Sequence, residues 1–250
     1  MTSPEPKLTR KERRKQRQQG HGEEQIQSKL NFNLKHVEPL TENQRKTFES
    51  YQNGKNLLLH GIAGTGKSFL SIYLSLNEIM GGSERYKKLY IVRSVVPTRE
   101  MGFLPGSAKE KAKVYEAPYY SICTELFNRG DSYEYLKQKQ VIEFISTSFI
   151  RGITLNDCII VVDEMQNMDY DELASVITRT GKNCKIIFSG DFRQSDFRGK
   201  HSEYKNDVKK FMSVIQNMPK DFEFVEFGID DIVRSKLVKN FIIAADRLGV

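Results

Sequence analysis

An eight-residue stretch, Gly61-Ile62-Ala63-Gly64-Thr65-Gly66-Lys67-Ser68, constrains the fold of this 250-residue chain more than any other part of it. A short apolar run, Asn56–His60, precedes it, and a segment with helical apolar spacing, Phe69–Met80, follows. Strand, glycine-rich turn and helix in that order form the setting of a phosphate-binding loop. Glycines open backbone conformations closed to other residues. Successive N–H groups then converge on an anion, reinforced by the positive end of the following helix. In such a loop Lys67 reaches the terminal phosphates and the Ser68 hydroxyl sits on Mg²⁺.

Length and composition narrow the setting. The chain accommodates one α/β domain with a full core, and its 38% hydrophobic and 28% charged content is that of a globular protein. No apolar run is long enough to cross a membrane, and the charged N-terminus lacks the apolar stretch of a secretory signal. Three cysteines without a Cys-x-x-Cys pair argue against a disulfide framework or a zinc site, and a reducing cytoplasm is expected. Net charge is +7, and residues 1–20 hold +5 of it: Lys7, Arg10, Lys11, Arg13, Arg14, Lys15 and Arg17 stand against Glu5 and Glu12. Residues 1–30 therefore read as a basic, disordered tail, either a nucleic-acid arm or a solvated one, ahead of a folded domain at 31–250.

The pattern along that domain alternates. Strands are predicted at Asn56–His60, Lys88–Arg93, Val141–Ile145, Cys158–Val162, Cys184–Phe188 and Phe222–Phe227. Helices are predicted at Arg45–Tyr51, Phe69–Met80, within 108–138, at Asp169–Arg179, at Glu203–Gln216, and as one long helix over Ile229–Leu248. This is an α/β order with a mainly parallel sheet. The tyrosines of 108–138 serve either packing or base stacking.

Two further strand ends carry chemistry. The apolar strand 158–162 runs into Asp163-Glu164. Adjacent carboxylates resist burial unless a cation sits with them, and a phosphate loop supplies one. Asp163 is expected on Mg²⁺ and Glu164 on the attacking water. The fifth strand ends in Ser189-Gly190-Asp191, with Gln194 placed to bridge a γ-phosphate and that water. Ligands of an open parallel sheet lie at the carboxyl ends of its strands, so these groups converge.

In the set and order of its motifs, the chain resembles the PhoH family, a phosphate-starvation-inducible branch of P-loop ATPases related to superfamily-1 helicases. The resemblance rests on Gly61–Ser68, on Val92-Arg93 leading into Pro97, and on Gly102-Phe103-Leu104-Pro105-Gly106. Phe149-Ile150-Arg151-Gly152, Asp163-Glu164-Met165-Gln166-Asn167, Gly190-Asp191 with Gln194 and Asp196, and Asp231-Ile232-Val233-Arg234-Ser235 complete it, in family order across about residues 39–245. Ser68 stands where Thr is commoner, Met165 where Ala is usual, and Ser94 where the family has Pro. The resemblance implies a single RecA-like domain, ATP and Mg²⁺, and RNA or single-stranded nucleic acid as partner. It places Gln44 at the spacing of an adenine-reading glutamine and Arg234 as a γ-phosphate arginine, acting within the chain or on a neighbour. One RecA-like domain per chain suggests a homo-oligomer, as a hexameric ring. No fused nuclease domain fits the length, and short versions of this kind resemble those of bacteriophages, which makes the host cytoplasm the compartment if a phage encodes it. Two other readings stand beside an ATPase coupled to nucleic acid: an ATP-switched binding module with little turnover, and a small-molecule kinase, which the lack of a clustered-arginine lid disfavours.

Overall fold

A computed structural model describes residues 33–95, 108–191 and 202–248. The basic tail, the Gly102–Gly106 segment, Gln194 and Asp196 lie outside the described residues. In chain order the elements are α1 (Glu42–Gln52), β1 (Asn56–Gly61), α2 (Lys67–Met80), β2 (Lys88–Arg93), α3 (Ala108–Phe127), α4 (Ser132–Gln138), β3 (Ile142–Ser146), α5 (Thr147–Ile150), β4 (Cys158–Val162), α6 (Tyr170–Thr178), β5 (Cys184–Gly190), α7 (Ser202–Gln216), β6 (Phe222–Phe227) and α8 (Lys236–Leu248).

All six strands are parallel, in the order β3-β2-β4-β5-β1-β6. Parallel strands need crossover helices on the faces, so the central strands must be apolar on both sides. Cys158–Val162 accordingly is buried at every position. Leu57, Leu59, Ile91, Ile159 and Ile187 point to one layer, and Leu58, Val92, Ile160, Val162 and Phe188 to the other. The order matters for the site. β5 lies between β1 and β4, which sets the loop after β1 roughly 10 Å from the end of β4, two strand spacings away.

Thr41 caps α1 and Asp169 opens α6 with a reciprocal capping box to Glu172. The helical patterning of 108–138 is carried by two helices, separated at Asn128, whose φ of 51° is left-handed. One predicted helix changes. The long C-terminal helix begins only at Lys236. Ile229–Asp231 is a 3-10 turn instead, because Asp231 accepts the Gly228 N–H at 2.8 Å and is bound by Thr41 Oγ1 and Asn43 Nδ2 at 2.5 and 2.7 Å. That carboxylate pins the C-terminal segment to the cap of α1. Cys123, Cys158 and Cys184 are free thiols. No helix among the described residues is long and apolar enough to cross a membrane.

Candidate nucleotide site

The phosphate loop takes its shape from close backbone approach. Gly61 has φ +126°, and a Cβ there would sit 2.1 Å from the Phe227 carbonyl oxygen on β6. Any side chain would push the loop off its sheet, so glycine is obligatory. Gly64 and Gly66 also hold left-handed backbone, and Gly66 caps α2 without a side chain. The first N–H groups of α2 are thereby left facing the loop.

Lys67, the first residue of α2, is 8% exposed. Its Nζ donates to the Gly61 and Ile62 carbonyls at 2.9 and 2.8 Å. Burial lowers its pKa, while Asp191, Glu164 and Asp163 pull the other way. The next residue reaches across the inserted strand: Ser68 Oγ donates to Asp163 Oδ1 at 2.7 Å. The two groups assigned to one cation are in contact.

Glu164 holds a left-handed backbone, φ 54° and ψ 45°, at the turn out of β4. Such a conformation costs a non-glycine residue energy and is typical of functional turns. Burial raises its carboxyl pKa, with Asp163 adding to the effect, against Arg93, a Gln166 hydrogen bond and Lys67. Gln166 is the residue that sequence reasoning left without a role. Its Nε2 donates to Glu164 Oε2, and its Oε1 accepts the Asp191 N–H at 3.0 Å. One amide thus ties the end of β4 to the end of β5. Gly190 makes room for it: a Cβ there would lie 2.7 Å from Gln166 Oε1 and 2.6 Å from Met165 Cγ. No local pattern in the sequence separates Gln166 from its polar neighbour Asn167.

A second partner also escaped the sequence. Tyr119 OH, from the middle of α3, donates to Asp163 Oδ2 at 2.9 Å. Burial, then Asp163, pushes the phenol pKa well above its ordinary value. No local pattern distinguishes this tyrosine from its packing neighbours. The Arg93 charge is favoured by Tyr119, Asp163 and Glu164 against the cost of burial, so Arg93 belongs to the carboxylate network. Arg151 is exposed.

The remaining candidates also meet the loop. Val233 N–H donates to the Gly64 carbonyl at 3.2 Å, and Arg234 packs so closely that a Cβ on Gly64 would come within 3.0 Å of its Cγ. Arg234 therefore lies at the loop of its own chain. Gln44 is 3% exposed: Nε2 donates to the Thr65 carbonyl at 3.1 Å and Oε1 accepts the Leu40 N–H at 2.8 Å. An amide has two protons and two acceptor sites, so one of each remains. Ala63, Gly64, Lys67, Ser68, Asp163, Glu164 and Arg234 line a cavity of about 390 Å³, together with Pro118 and Ile122 of α3.

The donor set suits Mg²⁺. Ser68 and Asp163 offer hard oxygen ligands, and no group of three or more His, Cys, Asp or Glu among the described residues could hold a metal alone. Mg²⁺ characteristically takes one or two protein ligands and completes its shell with phosphate and water.

A six-stranded parallel sheet, a glycine-rich loop between β1 and α2 and a carboxylate pair at the end of β4 define a RecA-like P-loop domain. Residues 36–246 match the family model described as PhoH-like protein, and the chain belongs to that family. It is 32% identical over 199 residues to a PhoH-like protein of Bacillus subtilis (strain 168), covering 77% of this chain and 59% of that one. It is 32% identical over 212 residues to a PhoH-like protein of Synechocystis sp., covering 81% and 62%. The chain thus spans about three fifths of the length of these curated relatives. A solved structure of the large terminase from a thermophilic bacteriophage is similar at a TM-score of 0.45 and 12% identity, over 82% of this chain and 50% of that one.

Proposed function

We propose that the protein is an Mg²⁺-dependent ATPase coupled to RNA or single-stranded nucleic acid. The observation that carries this reading is the 2.7 Å bond between Ser68 and Asp163, which line one cavity with Lys67 and Glu164. Lys67 and the loop N–H groups bind the β- and γ-phosphates. Ser68 and Asp163 would hold Mg²⁺, which neutralises charge on the phosphates when bound. Glu164, with its raised pKa, orients the attacking water and accepts its proton. Arg234 stabilises charge developing on the γ-phosphoryl group, from within the same chain. Gln194 would sense the γ-phosphate, and the free edge of the Gln44 amide would read adenine.

Coupling to nucleic acid draws its support from the +5 charge of residues 1–20. A homo-oligomer, as a hexameric ring, is supported by α8, which leaves Leu237, Phe241 and Leu248 at 80%, 72% and 77% exposure along one stripe. Cytoplasmic residence fits free thiols. A second reading, an ATP-switched binding module with little turnover, is favoured by the Gln166 amide that engages the Glu164 carboxylate. Phosphate release measured with RNA, single-stranded DNA and duplex DNA across a salt series separates the two. The ATPase reading predicts stimulation by single strands that fades steeply as salt rises. Binding without turnover under every condition would favour the switch. Mass in solution with ATP tests the ring, which a strict monomer with full turnover would contradict.

A further inference from the structure

We propose that Tyr119 is a positioning residue for Asp163: its hydroxyl fixes the orientation in which that carboxylate meets Ser68 and the phosphate cavity. The proposal rests on the reading of this cavity as an Mg²⁺–ATP site.

Asp163 is 2% exposed, and both of its oxygens are held by hydroxyl donors. Ser68 Oγ takes Oδ1 at 2.7 Å and Tyr119 OH takes Oδ2 at 2.9 Å. A carboxylate tethered at one oxygen turns readily about its terminal torsion, because that torsion is broad. A second tether from the opposite side fixes the plane. The tether itself is rigid. Tyr119 is fully buried, with the Tyr133 and Phe144 rings at centroid distances of 6.4 and 6.1 Å. A phenol has one proton to donate and a carboxylate only accepts, so the direction of this bond is set. Ser68 likewise gives its single proton to Asp163, which leaves its lone pairs for a cation. Loss of the Tyr119 hydroxyl would strand a buried oxygen and free the carboxylate to turn away from Ser68. Tyr119 has a second consequence through its helix. Pro118 and Ile122 on either side of it line the same cavity as Asp163. The bond to Asp163 therefore also ties this stretch of α3 to the carboxylate.

A comparable hydroxyl supplies the control. Tyr133 is fully buried too, and its OH donates to Glu116 at 2.7 Å, away from the cavity lining. If buried tyrosine hydroxyls here matter only for packing, Tyr119→Phe and Tyr133→Phe should behave alike.

The test is binding of a fluorescent, non-hydrolysable ATP analogue to the full chain as Mg²⁺ is titrated from an EDTA baseline, with thermal melting recorded alongside. For Tyr119→Phe the Mg²⁺ midpoint should rise about 10-fold or more, the range seen when an outer-shell partner of a metal ligand is removed. Its affinity in EDTA should stay within about 2-fold of wild type, because the loop contacts are untouched. Tyr133→Phe should keep the wild-type midpoint. An unchanged midpoint in Tyr119→Phe, or equal shifts in both variants, overturns the proposal. A wild-type chain whose binding shows no Mg²⁺ dependence overturns the nucleotide-site reading itself, and the proposal with it.

Discussion

Two lysines of this domain are almost equally buried, and they serve opposite ends of the sheet. Lys67, 8% exposed, opens α2 at the carboxyl edge; Lys185, 5% exposed, lies near the start of β5 at the other. Burial lowers the pKa of both. Their partners separate them. Lys185 Nζ meets the Glu78 carboxylate and the Tyr51 carbonyl, each at 3.1 Å, and lies 3.7 Å from the centre of the Tyr51 ring. Its charge is cancelled where it stands. Lys67 Nζ binds neutral backbone carbonyls, and the nearby carboxylates act on it only through space. A cation that folding leaves uncancelled beside a cavity is available to an anion; one locked to a carboxylate is part of the core.

The sharpest way to break this contrast is substitution at both positions. Lys67→Ala should slow phosphate release by about 10²–10³-fold, the loss typical of one removed charge-stabilising donor. Lys185→Met should leave turnover per folded molecule within about 2-fold of wild type. Loss of ATP binding in Lys185→Met would dissolve the distinction. Stability should reverse the ranking. Lys185→Met leaves Glu78 unpaired, and urea denaturation should record a loss of roughly 2 kcal/mol. That is below the ~3–5 kcal/mol of a fully buried pair because the Glu78 side chain is 29% exposed. Lys67→Ala should change stability by less than about 1 kcal/mol, since it removes a buried charge along with its bonds.

A subtler effect concerns Glu164. A carboxyl whose folded pKa is raised stabilises the fold in its protonated form. That contribution is complete below the unfolded value of about 4.3 and is lost as pH rises through the folded value. Glu164→Gln should therefore stabilise the nucleotide-free protein at neutral pH, by about 0.5–2 kcal/mol, the usual gain from one stabilising substitution. The gain should shrink towards acid pH. Thermal melts of both proteins across pH 4 to 8 check this; a gain that grows towards acid would contradict the sign.

Much of this was legible in the sequence, for physical reasons that also mark where reading stopped. The strands were visible because parallel strands buried on both faces are continuous apolar runs, as at Cys158–Val162. The loop and the carboxylate pair were visible because their chemistry is local. Contacts that depend on strand order were not. Tyr119 and Asp163 are 44 positions apart, and they meet only because α3 covers the carboxyl edge of the sheet. The role of Gln166 depends on β5 lying beside β4. Lys185 did carry a signal, a charge inside an apolar strand, but its partners come from α1, α2 and the Tyr86 ring. The start of α8 was missed because helical spacing continues through Ile229–Asp231, where the Asp231 tether to α1 overrides it.

The proposed mechanism has Glu164 act at a bound ATP, and the identity of the nucleotide held by Glu164→Gln tests this most directly. The variant and the wild-type chain are incubated with ATP and Mg²⁺, separated from free nucleotide and denatured, and the released nucleotide is quantified. The wild type should yield ADP, and Glu164→Gln should yield ATP in near-stoichiometric amount. ADP formed by Glu164→Gln at the wild-type rate would contradict that role.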